Sequence, residues 1–272
     1  MNKILSQIKR LGLWLTDHLG PKRRGRWYCG FKLYYNRGNG LVRRLNREPI
    51  FEPELGQAIV AELSQANDQN SRFLDIGANI GLISLYVLAK RPKTIIDAFE
   101  PGWWPQQLLA KTVEANRLAG LNIHAEALAD RTGLADFYRH DPKQAALDGL
   151  RDTKRRGQTT AIQVAVNTLD NWWRGASRPA VAVIKIDTEG AELLVLKGGE
   201  EFIGQTKPTI FLEIEPLNLR VYDYNELDIL SWFTDHYYTL HTLDGVAVNK
   251  ENLSQLLLAE DTYVAKPLVD QK

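Results

Sequence analysis

The chain has 272 residues, 44% of them apolar and 25% charged, enough for a packed core of one α/β domain with an appendage. No run of about eighteen apolar residues is present to form a membrane-spanning helix. The net charge of +1 hides an imbalance: residues 1–50 carry twelve Lys/Arg against two Asp/Glu (+10), which leaves −9 on the rest and points to an anionic partner for the basic part.

Ile4, Ile8, Leu11 and Leu15 recur at helical spacing, joined by Leu5, Trp14 and Leu19, with Lys3, Lys9 and Arg10 elsewhere on the wheel, and Gly20-Pro21 stops that helix. Such a helix either lies on a membrane surface or docks on the protein itself. The same twenty residues lack the apolar block and cleavage site of a secretory signal. With the single cysteine, Cys29, this suggests a reducing, cytoplasmic setting, with peripheral membrane contact through the basic segment. Arg26–Asn36 is aromatic-rich and is expected to form a strand, followed by a turn at Arg37–Gly40. Glu54–Gln65 is expected to be a helix that leads through a polar linker. Residues 1–70 are therefore read as a basic N-terminal extension, and 71–268 as the main domain.

From Arg72 strands and helices alternate, the pattern of a mostly parallel sheet with helices on both faces. Strands are expected at Arg72–Ile76, Thr94–Glu100, Asn122–Ala127, Val181–Asp187 and Thr209–Ile214, and antiparallel closing strands near Tyr237–Leu243 and Thr262–Ala265. Helices are expected near Ile80–Lys90, Pro105–Ala119, Ala191–Gly198 and Glu226–Thr234. Leu134–Tyr138 and Ile162–Ala165 are expected to be short strands flanking a basic stretch, whose loop Lys143–Arg156 either recognises substrate or is simply polar. Trp172-Trp173 begin a helix, packed on the core or serving as a stacking platform.

Chemistry concentrates at strand ends, where open α/β sheets bind ligands. The first strand ends at Asp75, followed by Gly77-Ala78-Asn79-Ile80-Gly81. This is not the G-x-G-x-x-G of a dinucleotide site, and an acid at the bend would repel a pyrophosphate. It suits a ligand bearing a sulfonium and an ammonium, S-adenosylmethionine, and so methyl transfer. Glu100, nineteen residues after Gly81 and followed by Pro101, stands where an acid meets ribose hydroxyls. After the third strand, Ala129-Asp130 offers an acceptor for an adenine amino group.

The fourth strand delivers Lys185, Asp187 and Glu189, and the fifth Glu213 and Glu215. Asp187 or Glu189 would take the proton of an acceptor hydroxyl. Two further readings stand beside this: the carboxylates hold a divalent ion, or Asp187 to Glu189 cap the next helix. No residue is assigned to a metal.

Phe73–Gly81, Phe99–Pro101 with Asn116, Ala127–Asp130, Ile184–Gly199 and Phe211–Ile214 resemble the FkbM family of S-adenosylmethionine-dependent methyltransferases. The block Ile184-Lys185-Ile186-Asp187-Thr188-Glu189-Gly190-Ala191-Glu192 is the most specific element, and Phe51–Leu55 is similar to the segment that precedes the family's domain. Trp103 and Trp104 depart from the Asn- or Phe-bearing segment that the family carries after Glu-Pro. The resemblance implies a Rossmann-like class I fold with a seven-stranded sheet, and transfer to a hydroxyl of a sugar, glycolipid or secondary metabolite. It also implies cofactor contacts at Asp75, Gly77, Asn79, Gly81, Glu100 and Asp130. The rival expectations are a nucleic-acid methyltransferase, suggested by the basic extension, and a cofactor-binding protein without turnover.

Overall fold

The computed structural model describes residues 23–66, 72–141, 144–155 and 157–268. The helix expected near Ile4–Leu15 and most of the polar linker lie outside these residues.

The aromatic stretch is a hairpin rather than one strand. Strands β1 (Arg23–Tyr28) and β2 (Phe31–Asn36) pair antiparallel around Cys29-Gly30. Both turn residues take left-handed φ, 49° and 86°, the two-residue turn whose twist matches the strands. The Asn116 side chain accepts the Lys32 N–H at 2.8 Å and donates to the Lys32 carbonyl at 2.9 Å, pinning β2 to helix Trp103–Asn116. Tyr28, Leu33, Val42 and Leu45 pack with Ile80, Leu82 and Leu85, so the extension shares a core with the start of helix Leu82–Lys90. Helix Pro53–Gln65 opens on proline, whose missing N–H costs nothing in a first turn, and buries Leu55, Ile59 and Leu63.

Beyond it run β3 (Arg72–Ile76), β4 (Ile95–Phe99) and β5 (Leu121–His124). These three and four later strands, β9 (Val181–Ile186), β10 (Thr209–Glu213), β11 (Tyr238–Thr242) and β12 (Thr262–Pro267), make one sheet in the order β11-β12-β10-β9-β3-β4-β5. Pairing is parallel from β5 through β10, and β12 runs antiparallel to both its neighbours. The parallel strands are nearly continuous apolar runs because helices cover both faces. Phe73 packs with Ile59 and Val87 on one face, while Leu74 and Ile76 pack with Trp172 and Phe233 on the other. That two-residue alternation turns Asp75 to the same face as Phe73. The chain leaves β3 towards β4 on one side and returns to β9 on the other, so the crevice for a ligand lies beyond the carboxyl ends of these strands.

One expected strand is two. The span Asn122–Ala127 breaks after His124, and β6 (Ala127–Leu128) joins a second sheet, running parallel to β8 (Thr160–Asn167), which pairs antiparallel with β7 (Gly133–Arg139). Trp172 and Trp173 are buried in helix Leu169–Gly175, and Trp173 Nε1 donates to the Pro179 carbonyl at 3.0 Å, so this pair serves the core. Helix Glu200–Thr206 was not anticipated; the Asp170 carboxylate caps it from thirty positions upstream by accepting the N–H of Glu201 and Phe202.

Candidate functional site

The bend after β3 is built from left-handed residues: Gly77 at φ 77°, Asn79 at 50° and Gly81 at 82°. A Cβ on Gly77 would sit 1.7 Å from the Asp187 carbonyl oxygen, so only glycine fits where the bend presses on the end of β9. A Cβ on Gly81 would meet Leu109 at 2.5 Å, a packing constraint away from the ligand crevice. The N–H groups of Gly77 and Ala78 both donate to the Phe99 carbonyl at 3.0 Å, tying the bend to β4.

Glu100 completes that tie. Its Oε2 accepts the Asn79 N–H at 2.9 Å and its Oε1 the Gly102 N–H at 2.7 Å. Burial pushes this carboxyl up to about 8, although both N–H groups pull the other way. Asp75 is 1% exposed, with Oδ2 accepting from Ser84 Oγ at 2.6 Å. Its Oδ1 faces Lys185 Nζ at 3.5 Å, and the same ammonium is 3.1 Å from Asp187 Oδ2 and donates to the Gly77 carbonyl at 3.3 Å. Burial works against the Lys185 charge, yet Asp187, Asp75 and Glu52 outweigh it and hold the ammonium above its ordinary range.

Asp187 and Glu189 do not cap the following helix. Glu192 satisfies that turn, its Oε1 accepting from Thr188 N, Thr188 Oγ1 and Gly190 N. Glu189 Oε2 accepts from Arg155 Nη1 at 3.1 Å and from Asn218 Nδ2 at 2.9 Å, and burial followed by the Asp187 charge raises its carboxyl to about 8. Asp187, Glu189 and Glu213 bring one carboxylate oxygen each within 4.8 Å of one another. Lys185 and Arg155 already stand against this cluster.

A single cavity collects Asp75, Gly77, Ala78, Asn79, Glu100, Pro101, Lys185, Asp187 and Glu189. Gly81 shapes the bend without lining the cavity, and neither Trp103 nor Trp104 lines it. Ala129 and Asp130 do not line it either. They follow β6 into the second sheet, where Ala129 N donates to the Asn167 carbonyl and Asp130 is exposed. From this stretch Glu126, just before β6, does line the cavity.

Two further acids were not anticipated. Glu52 reaches the cavity from the N-terminal extension; its φ of 43° is unusual for a residue before proline, and burial, with the Asp187 charge, raises it to about 7. Asp148 comes from the basic loop, where no motif marks it. Eight carboxylates and two cationic side chains, Arg44 and Lys185, line this space. Its field favours a positively charged ligand.

Residues 75–240 match the family described as "Methyltransferase FkbM domain". A protein from Sinorhizobium fredii named 2-O-methyltransferase NoeI is 28% identical over 173 residues, 59% of this chain and 69% of that protein. Methyltransferase 1 of Beauveria bassiana is 28% identical over 145 residues, 47% of this chain and 58% of its own length. A solved structure named Methyltransferase FkbM, from Methylobacillus flagellatus, aligns at a TM-score of 0.46 and 19% identity, over 75% of this chain and 45% of that one.

Proposed function

This chain belongs to the FkbM methyltransferase family, and from that premise we propose that it moves a methyl group from S-adenosylmethionine to a hydroxyl of a sugar, glycolipid or secondary metabolite. The observation that carries the proposal is the convergence of Asp75, Glu100, Lys185, Asp187 and Glu189 on one acid-rich cavity at the carboxyl ends of β3, β4 and β9. The residues present fit that cofactor: the glycine bend leaves room at the strand end, and an excess of carboxylates suits its positive charge. The name 2-O-methyltransferase borne by one relative supports oxygen as the receiving atom.

In this reading Glu100, already fixed by two backbone N–H groups, accepts from the ribose hydroxyls. Asp75 and Asn79 border the donor's charged portion. Bound there, the cofactor supplies an electrophilic methyl on a sulfonium, itself a good leaving group. What remains for the protein is alignment and proton removal. Asp187, whose side chain is 36% exposed and oriented by Lys185 at 3.1 Å, takes the hydroxyl proton, and Glu189 lies beside it to help hold the acceptor. Residues 71–268 carry this chemistry, while the extension closes one wall through Leu41, Arg44, Phe51 and Glu52.

No helix among the described residues is long and apolar enough to cross a membrane. The basic segment is proposed to bring the enzyme to an anionic acceptor or membrane surface. Deleting residues 1–20 should reduce sedimentation with anionic vesicles.

The test of the reaction is incubation with methyl-labelled cofactor and glycan, lipid and small-molecule fractions, comparing the chain with Asp187→Asn. Label in a hydroxyl-bearing product, lost in the variant while S-adenosylhomocysteine still binds, supports the assignment. Label confined to nucleic acid, or equal turnover in the variant, removes it.

A further inference from the structure

The cavity has two kinds of lining. Around Lys185 and Asp187 it is charged, whereas Ala127, Leu128, Phe137, Ala145 and Leu150 make an apolar sleeve. Two carboxylates border that sleeve: Glu126 beside Ala127, whose oxygens already accept from Asn167 Nδ2 at 3.2 and 3.3 Å, and Asp148 from the segment that crosses it. The segment is held at both ends: Asn79 Nδ2 donates to the Ala145 carbonyl at 3.3 Å, and Tyr138 and Gly149 exchange backbone hydrogen bonds at 2.8 and 3.3 Å.

Asp148 is fastened by one oxygen only. Its Oδ1 accepts the backbone N–H of His140 at 2.7 Å and lies 3.3 Å from His140 Nδ1. Its side chain is 3% exposed, and Oδ2, fully shielded from solvent, has no hydrogen-bond partner among the described residues. A buried acceptor without a donor is costly, and proteins seldom leave one except where a ligand or water supplies the donor. Burial raises this carboxyl to about 7, although the His140 N–H and the Arg139 charge pull the other way.

We propose that Asp148 Oδ2 is the acceptor for the exocyclic amino group of the cofactor's adenine, held flat in the apolar sleeve. This rests on the cofactor reading above. A ribose hydroxyl is the poorer donor for this position, because Glu100 stands at the strand end for the diol and the sleeve suits an aromatic ring. The recognition function expected of Asp130 thus passes to a residue eighteen positions later, on a different element.

The test compares S-adenosylhomocysteine with S-inosylhomocysteine, which carries a 6-oxo group in place of the amino group, by calorimetry on the full chain. The wild-type protein should prefer the adenosyl ligand by at least about tenfold, the worth of a charge-assisted hydrogen bond plus the clash of a carboxylate with a carbonyl. Asp148→Ala should lower that ratio by about tenfold. Asp148→Asn gives a sharper reading and preserves the shape. The His140 N–H is a donor, so the amide oxygen must take the Oδ1 place and its NH2 group turns into the cavity. That group repels an amino group and donates to a 6-oxo group, so the preference should reverse. Any other way in which the two ligands differ is the same for all three proteins and cancels when their ratios are compared with one another. A wild-type ratio retained in both variants overturns the proposal while leaving the cofactor reading intact. Failure of the wild-type protein to bind either ligand overturns both.

Discussion

Glu100 Oε2 accepts the backbone N–H of Asn79 at 2.9 Å, joining the carboxyl end of β4 to the glycine bend after β3. Its other oxygen takes the Gly102 N–H at 2.7 Å. One carboxylate thereby fixes two backbone segments that border the same cavity.

Replacing it by alanine would orphan both N–H groups. Glu100→Ala is expected to cost about 1–3 kcal/mol of stability and to weaken S-adenosylhomocysteine by at least about tenfold. Urea unfolding and calorimetry check the two effects separately; wild-type values in both would deny Glu100 its place in the site.

Gly77 faces a harder constraint. Gly77→Ala places a Cβ 1.7 Å from a backbone oxygen at a φ of +77°, and backbone cannot swing aside as a side-chain tip can. A loss of about 3 kcal/mol or more is expected. Gly175→Ala, with nothing within 4 Å and no positive φ, should be nearly neutral. Equal thermal midpoints for these two variants would show that the bend tolerates a side chain.

Lys185 and Asp75 test the buried ion pair. Lys185→Met leaves Asp75, 1% exposed, with Ser84 as its remaining polar contact among the described residues, and should destabilise the fold by about 3 kcal/mol. Adding Asp75→Asn should recover much of that loss, because the uncompensated charge is then gone. Strict additivity of the two changes would mean that the groups do not interact.

The acids of the site set a pH dependence with a definite sign. Burial, the leading cause in each case, raises Glu52 and Asp148 to about 7, and Glu100 and Glu189 to about 8. A carboxyl whose folded value exceeds its unfolded one contributes fully below the unfolded value, and that contribution fades as pH rises through the folded one. The ligand-free protein should therefore lose stability as pH rises from about 4.5 to 8. Asp97 behaves oppositely: burial pushes it up, but His124 and Arg72 outweigh that and hold it low, so its contribution persists across this window. Urea midpoints that are flat or increase over the same range would contradict the cluster's electrostatics.

How much of this was legible beforehand depended on how local the cause was. The bounds of β3 were readable because a short apolar run, an acid and a glycine bend are contiguous, and the bend's backbone demands act on those residues alone. The same holds for Lys185, Asp187 and Glu189, delivered by β9 and the turn after it. The hairpin was missed because Cys29-Gly30 is not a usual turn pair, and helix Glu200–Thr206 because its cap, Asp170, is distant in sequence.

Sequence by itself therefore determined the parallel α/β frame and the acids crowning three of its strands, since strand ends and bends obey short-range rules. Tertiary structure alone decided the remaining walls. Pairing of Ala127–Leu128 with Val166–Asn167 carried Asp130 away, and the anchored segment brought Asp148 in. A hairpin docked on helix Trp103–Asn116 and a shared core placed Glu52 opposite Asp187. Those placements follow from contacts between residues tens of positions apart, and long-range pairing and burial leave no periodic trace in a single chain.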